Sequence, residues 1–257
     1  MSEHLLVERE QGLLTLRMHR PDKKNALTRA MYSGMAEVLV QADQDKSVRA
    51  VLITGGDSCF TSGNDVADFI KAPPTGLNSE VFQFMQALFE FSKPVVAAVN
   101  GPAVGIGTTM LLHCDLVYVS RDATLKMPFV NLGLCPEYGS SLILPRLLGH
   151  AKAAELLLLG ESFTGEQAAS WGIANGVLDD GVATLEKAAA MARRFQQLAP
   201  SAVAVSKQLM QAPGREELRQ VITAEGELFG QRLRSPEAIE ALSAFMQRRQ
   251  PDFSKFL

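Results

Sequence analysis

Residues 93–120 read KPVVAAVNGPAVGIGTTMLLHCDLVYVS, and the order of parts in this stretch decides the fold class. Residues 93–101 are a short valine-rich apolar run closed by Asn100-Gly101, the pattern of a buried strand. Residues 102–115 are a glycine-rich turn that leads into a short helix. LVYVS at 116–120 is a strand again. Strands that alternate with helices in this way pair in parallel and make an α/β fold.

The same alternation extends toward the N-terminus. Residues 5–19 read as two strands joined at Gln11-Gly12, and RPDKKNAL then breaks the chain into a loop. Apolar residues at 27, 31, 35, 38, 39 and 42 have helical spacing. VRAVLITGG at 48–56 is a buried strand, and FTSGNDVADF at 60–69 is a loop turning into a helix. KAPPTG at 71–76 is a breaker, and Val81, Phe82, Met85, Leu88 and Phe89 form one face of a helix over 79–91. Beyond about residue 140 the strand signals fade. Helical patterns cover 151–159, 165–171, 182–197, 201–211, 215–233 and 236–249, the last opened by Ser235-Pro236-Glu237.

Bulk properties narrow the function classes. The 257 residues are 47% apolar and 21% charged, an ordinary globular composition with material for a sizeable core. With 25 basic and 28 acidic residues the net charge is −3, so no nucleic-acid partner is expected. No apolar run is long enough for a membrane span. Cys59, Cys114 and Cys135 are dispersed, which favours a reducing compartment. The charged N-terminus is unlike a signal peptide, and FSKFL is not the terminal S-K-L address, so a cytoplasmic location is expected.

Several motifs bear on chemistry. The turn NGPAVGIG resembles a dinucleotide fingerprint, but the third small position fails and no acid ends the next strand. His113-Cys114-Asp115 cannot converge from a helix end, and the remaining histidines have no second ligand at helical spacing, so no metal site is predicted. Glycines at 105 and 107 would let backbone approach a ligand closely, and N–H groups there would suit an oxygen that becomes negative. TSGND is a second small-residue turn after a strand, so two loops could each give one donor; tight turns alone explain the same residues. In NLGLCPEYGSS, residues 131–141, Glu137 is a lone carboxylate in an uncharged run. Such a charge is costly unless solvated, paired or used. Its plainer role is that of a first-turn glutamate at a helix start.

Taken together, RPDKKNAL, FTSGNDVADF, the 93–128 segment, NLGLCPEYGSS and ESFTGEQAASWGIANGVL resemble the enoyl-CoA hydratase/isomerase (crotonase) superfamily, along essentially the whole chain. SGND, NGPAVGI and PE-x-x-SS are most similar to peroxisomal-type Δ3,Δ2-enoyl-CoA isomerases. The resemblance implies a spiral of ββα repeats over residues 1–195 and a helical trimerisation region over 196–257. It implies an acyl-CoA thioester as substrate, no cofactor beyond that CoA, and a homo-oligomer, a trimer or a dimer of trimers. It puts the two oxyanion donors on the backbone N–H groups of Ser62 and Ile106, and the catalytic carboxylate on Glu137. CoA or substrate contacts fall on Lys24, Ala26, Leu27, Gly63, Asp65, Gly105 and Phe129, and in the tail on Phe245, Arg249 and Phe253.

The two glutamates that hold water in the family's hydratases fall on Thr109 and Phe129, so the hydration equipment is missing. The implied activity is therefore the shift of a C3 double bond to C2 by one carboxylate. Leu134, Cys135 and Tyr138 imply a partly desolvated Glu137 with a raised pKa, and Phe82, Met85, Phe89 and Phe129 would shape the acyl pocket. Two other readings stand beside it: another CoA-thioester isomerase, acting on a dienoyl or ring-epoxide substrate, and a non-catalytic acyl-CoA-binding protein on the same fold.

Overall fold

In the computed structural model, which describes residues 2–256 other than 57, 72, 75 and 77, the chain opens with a hairpin. Strands β1 (Leu5–Glu10) and β2 (Leu13–Met18) pair antiparallel. Gln11 and Gly12 both have positive φ, the twist that a two-residue hairpin turn needs. From β2 onward every step in the main sheet is parallel. Helix α1 (Arg29–Gln44), capped by the Thr28 hydroxyl accepting from Met31 N–H, carries the chain to β3 (Ala50–Thr54). Helices α2 (Val66–Lys71) and α3 (Glu80–Glu90) carry it to β4 (Val95–Val99).

Strand β5 (Ala103–Val104), helix α4 (Ile106–Thr109) and a 3-10 turn over Met110–His113 then lead to β6 (Leu116–Ser120). Three strands that the residue pattern does not predict follow: β7 (Thr124–Lys126), β8 (Ser162–Thr164) and β9 (Gly176–Leu178). At three residues each they are too short to show a period. Strand β9 completes the six-stranded sheet, in the order β1-β2-β3-β4-β6-β9, and β5-β7-β8 form a separate three-stranded sheet.

The remaining helices are α5 (Ser140–Leu148), α6 (His150–Leu158), α7 (Gly165–Ser170), α8 (Gly181–Arg194), α9 (Pro200–Gln211), α10 (Arg215–Arg232) and α11 (Pro236–Met246). Helix α11 starts as its sequence predicts, with the Ser235 hydroxyl accepting from Ala238 N–H and Pro236 in the first turn. Helix α5 is not among the predicted helices, because Gly139 before it and Pro145 inside it read as breakers.

Both faces of the parallel sheet are covered, as apolar strands without alternation require. On one face Leu14, Leu16, Val51, Ile53, Ala97 and Val99 pack with Met31, Met35 and Leu39 of α1 and Phe84 and Leu88 of α3. On the other, Leu13, Leu52, Val96 and Tyr118 meet Ala188 and Ala192 of α8. The C-terminal helices are tied to the sheet by a buried ion pair. Lys207 Nζ of α9 donates to Asp115 Oδ2 and to Lys93 O, both at 2.7 Å, and the same Asp115 oxygen accepts from Val95 N–H at 2.8 Å. Replacing Lys207 by Met leaves Asp115 without its counter-charge, so urea unfolding should show a loss of about 3 kcal/mol.

Candidate active site

Parallel strands end on one edge, and there the loops after β3 and β4 meet. Thr61 and Ala103 form a parallel bridge: Thr61 N–H donates to Pro102 O, and Val104 N–H to Thr61 O, both at 3.0 Å. Gly63 has φ +86°, and a Cβ there would lie 2.7 Å from Val104 O, so this position demands glycine twice over. On the facing turn a Cβ at Gly107 would lie 2.6 Å from Thr61 Cγ2. Gly105 caps α4 at φ 58°, its N–H donating to Lys126 O and its carbonyl accepting from Thr108 and Thr109 N–H. Residues 61–64 and 104–107 are thus packed back to back.

The free amides follow from where the other backbone groups of this edge are spent. On the turn into α4, Ile106 N–H and Gly107 N–H have no acceptor among the described residues. Ser62 N–H does have one: it donates to Lys24 O at 2.9 Å, so the expectation that Ser62 is an oxyanion donor is corrected. The unspent amide in that loop is Asn64. Leu27 bridges to Asn64 through Leu27 N–H to Gly63 O and Asp65 N–H to Leu27 O, and this leaves Asn64 N–H without an acceptor among the described residues. The Asn64 side chain is fixed from behind, its Oδ1 accepting from the buried Tyr32 hydroxyl.

Two neighbouring expectations, Asp65 and Leu27, are corrected as well. Both Asp65 oxygens are committed inside the loop, Oδ2 to Arg20 at 2.6 Å and Oδ1 to Asp68 N–H at 3.0 Å. Burial pulls this carboxyl up, but the Arg20 hydrogen bond and charge outweigh it and hold its pKa below the ordinary value. Leu27 puts its side chain in the core and spends both backbone groups on the bridge. Ala26 gives its carbonyl to Arg20 Nη1 at 3.1 Å. Lys24, left-handed at φ 50°, keeps an exposed side chain.

Glu137 approaches from the other side. Tyr138 and Gly139 are both left-handed, at φ 58° and 77°, and this tight reversal stands just ahead of α5. Helix α5 begins only at Ser140, so Glu137 lies outside its first turn. Tyr138 is anchored by its hydroxyl, which donates to Met85 O at 2.7 Å, and by His113, which stacks on its ring at 3.7 Å. Glu137 is only 4% exposed and lines a pocket together with Phe69, Phe82, Met85, Ile222 and Phe229. Burial, more complete than the sequence implies, pushes its pKa up to about 8. The charge of Glu225 adds to the rise, and the Thr109 hydroxyl, 3.4 Å from Oε1, opposes it.

Of the residues expected around the acyl chain, Phe82 and Met85 line this pocket. Phe129 does not; it stands edge-on behind Phe229 at 6.3 Å. Phe89 turns away toward His113 and Arg215. In the tail, Phe245 and Phe253 are exposed, and Arg249 is clipped to Glu240 at 2.6 Å rather than free for a ligand. The sequence reading missed Glu225 and the free Asn64 amide.

A family model described as Enoyl-CoA hydratase/isomerase matches residues 8–255. The chain belongs to this family. Human enoyl-CoA delta isomerase 2 is 36% identical over 255 residues; the match covers 96% of the chain but only 64% of the longer relative. Escherichia coli 1,2-epoxyphenylacetyl-CoA isomerase is 34% identical and 2,3-dehydroadipyl-CoA hydratase of the same organism 34%, with 98% or more of every chain covered. Among solved structures, Pseudomonas aeruginosa OdaA superposes with a TM-score of 0.95 at 70% identity, covering 96% of this chain and 100% of its own. The α/β core with its C-terminal helices is therefore the crotonase fold of the enoyl-CoA hydratase/isomerase family, whose enzymes take acyl-CoA thioesters.

Glu137 gives this family member a pH-dependent stability. Its native pKa of about 8 lies above the ordinary 4.5, so between these values the folded protein holds a proton that the unfolded chain releases. The wild type should lose stability as pH rises through that window. Glu137→Gln should match it near pH 4 and exceed it above pH 8, by on the order of a few kcal/mol, in urea melts run at both pH values.

Proposed function

We propose that the protein moves the double bond of a 3-enoyl-CoA from C3 to C2. The observation that carries this reading is that Glu137 alone among the described lining residues brings a carboxylate to the apolar pocket, with the Thr109 hydroxyl, not a second acid, as its side-chain partner. Ionised Glu137 removes a C2 proton from the thioester, and the resulting dienolate carries its charge on the thioester oxygen. That oxygen is met by the amides of Ile106 and Asn64, the latter in place of Ser62. One such donor typically lowers a barrier by about 3–4 kcal/mol. The proton now on Glu137 is then delivered to C4, which gives the conjugated 2-enoyl thioester and restores the carboxylate. Phe82, Met85 and Phe229 would hold the acyl chain and keep water from the dienolate. Lys24 is an exposed cation of the loop beside Ser62 and would serve the CoA phosphates.

A second reading is favoured by the aromatic pocket wall and by the full-length likeness to the 1,2-epoxyphenylacetyl-CoA isomerase, which covers 99% of both chains. The same acid and amides would then act on a ring-epoxide thioester.

Absorbance assays separate the two. Under the first reading 3-hexenoyl-CoA is converted, the rate in free enzyme rises with pH through about 8 as Glu137 ionises, and hydration of 2-hexenoyl-CoA is slow. Glu137→Gln should lower kcat by about 10²–10⁴-fold. A wild type that leaves 3-hexenoyl-CoA untouched but turns over the epoxide makes the second reading the right one. CoA binding without turnover of either would indicate a binding protein.

A further inference from the structure

We propose that Glu225 is a positioning residue for Glu137: it clamps the turn that aims Glu137 and, as a second buried anion beside it, sets the pH at which Glu137 becomes a base. This deepens the function proposed above and rests on its assignment of Glu137. Glu225 lies on α10, is 6% exposed, and has no cationic partner among the described residues. Its oxygens are instead taken by backbone. Oε2 accepts from Gly139 N–H, and Oε1 from Ser141 N–H at 3.0 Å. These are amides at the N-terminus of α5, where a helix leaves donors unpaired and a negative charge is favoured. Helix α5 has no side-chain cap of its own, so the cap comes from a helix 84–86 residues further on.

The clamp holds the two left-handed residues, Tyr138 and Gly139, that follow Glu137. A charge there also decides which of two buried carboxyls ionises first. Burial raises the Glu225 carboxyl as well, but its two amide donors oppose that rise, whereas Glu137 has one long hydroxyl contact, so the first negative charge settles on Glu225. Glu137 must then ionise beside an existing anion, which makes it a stronger base when substrate closes the pocket.

Among the described residues no other group around Glu137 competes for that role. Tyr32 of α1, Tyr138 and Cys135 all stay neutral, their pKa values pushed up by burial. Thr109 of α4 does not titrate. His113, behind Tyr138, is pushed down to about 4 by burial. The outlying cations are already paired, Arg232 with Glu237 and Arg215 with Glu90.

The test is a 13C NMR titration of the full-length protein labelled at the glutamate side-chain carboxyls, with the Glu137 signal assigned through Glu137→Gln. Glu225→Gln keeps the shape and an acceptor but removes the charge. The Glu137 midpoint should fall by about one pH unit, and the acid limb of the kcat/KM profile should move with it. Glu225→Asp, which keeps the charge, should return the midpoint toward the wild-type value; Glu225→Ala should lower the melting temperature as well. An unmoved midpoint in Glu225→Gln, or one in Glu225→Asp equal to that of Gln, overturns the proposal and leaves a helix cap. The titration needs no substrate, so a shifted midpoint in a protein without isomerase activity would refute the proposed reaction and not this inference.

Discussion

Parallel pairing obliges successive strands to end on one edge of the sheet, and the molecule is organised around what happens there. Strands β3 and β4 each hand over to a glycine-bearing turn, and the two turns are held together by main-chain bonds between Thr61, Pro102 and Val104. Side chains could not be placed between them, because Gly63 and Gly107 leave no room for a Cβ. The outcome is a rigid backbone surface whose spare amides include those of Asn64 and Ile106. Donors fixed before substrate arrives cost no reorganisation during reaction, the usual source of strong oxyanion stabilisation.

Opposite that surface the decisive effect is desolvation. A lone carboxylate such as Glu137 can be buried in an apolar pocket only by holding its proton at neutral pH, and burial outweighs the single hydroxyl contact from Thr109. Helix α10 sharpens the effect from both directions. It supplies Ile222 and Phe229 to the pocket wall and places a second carboxylate next to the first.

What the sequence could reveal depended on distance along the chain. The helices α1, α3 and α6–α11 and the strands β1–β4 and β6 carry local periodicity, so they were legible. Strands β7, β8 and β9 exist only because a neighbour pairs with them, and α5 hides behind Gly139 and Pro145. Glu137 was visible as an isolated charge and through its motif. Which amide beside Gly63 is free was not: Ser62 and Asn64 differ only in what Lys24 and Leu27 take from that loop, a pairing across some 37 residues of chain. Glu225 was invisible for a like reason. Within α10 it is one acid among Glu216, Glu217 and Glu227, and only the fold brings it to Gly139 and Ser141.

The capping of α5 by α10 also bears on the order in which the protein matures. As the chain leaves the ribosome, the strands of the main sheet are complete by Leu178, while the residues that close over Glu137 lie between Ile222 and Gly230. A nascent chain halted between those points would already own its sheet, yet would present a wet carboxylate and two open amides where the finished enzyme has a dry one. The raised pKa of Glu137 is thus a late acquisition, conferred by the last fifth of the polypeptide on a scaffold assembled without it.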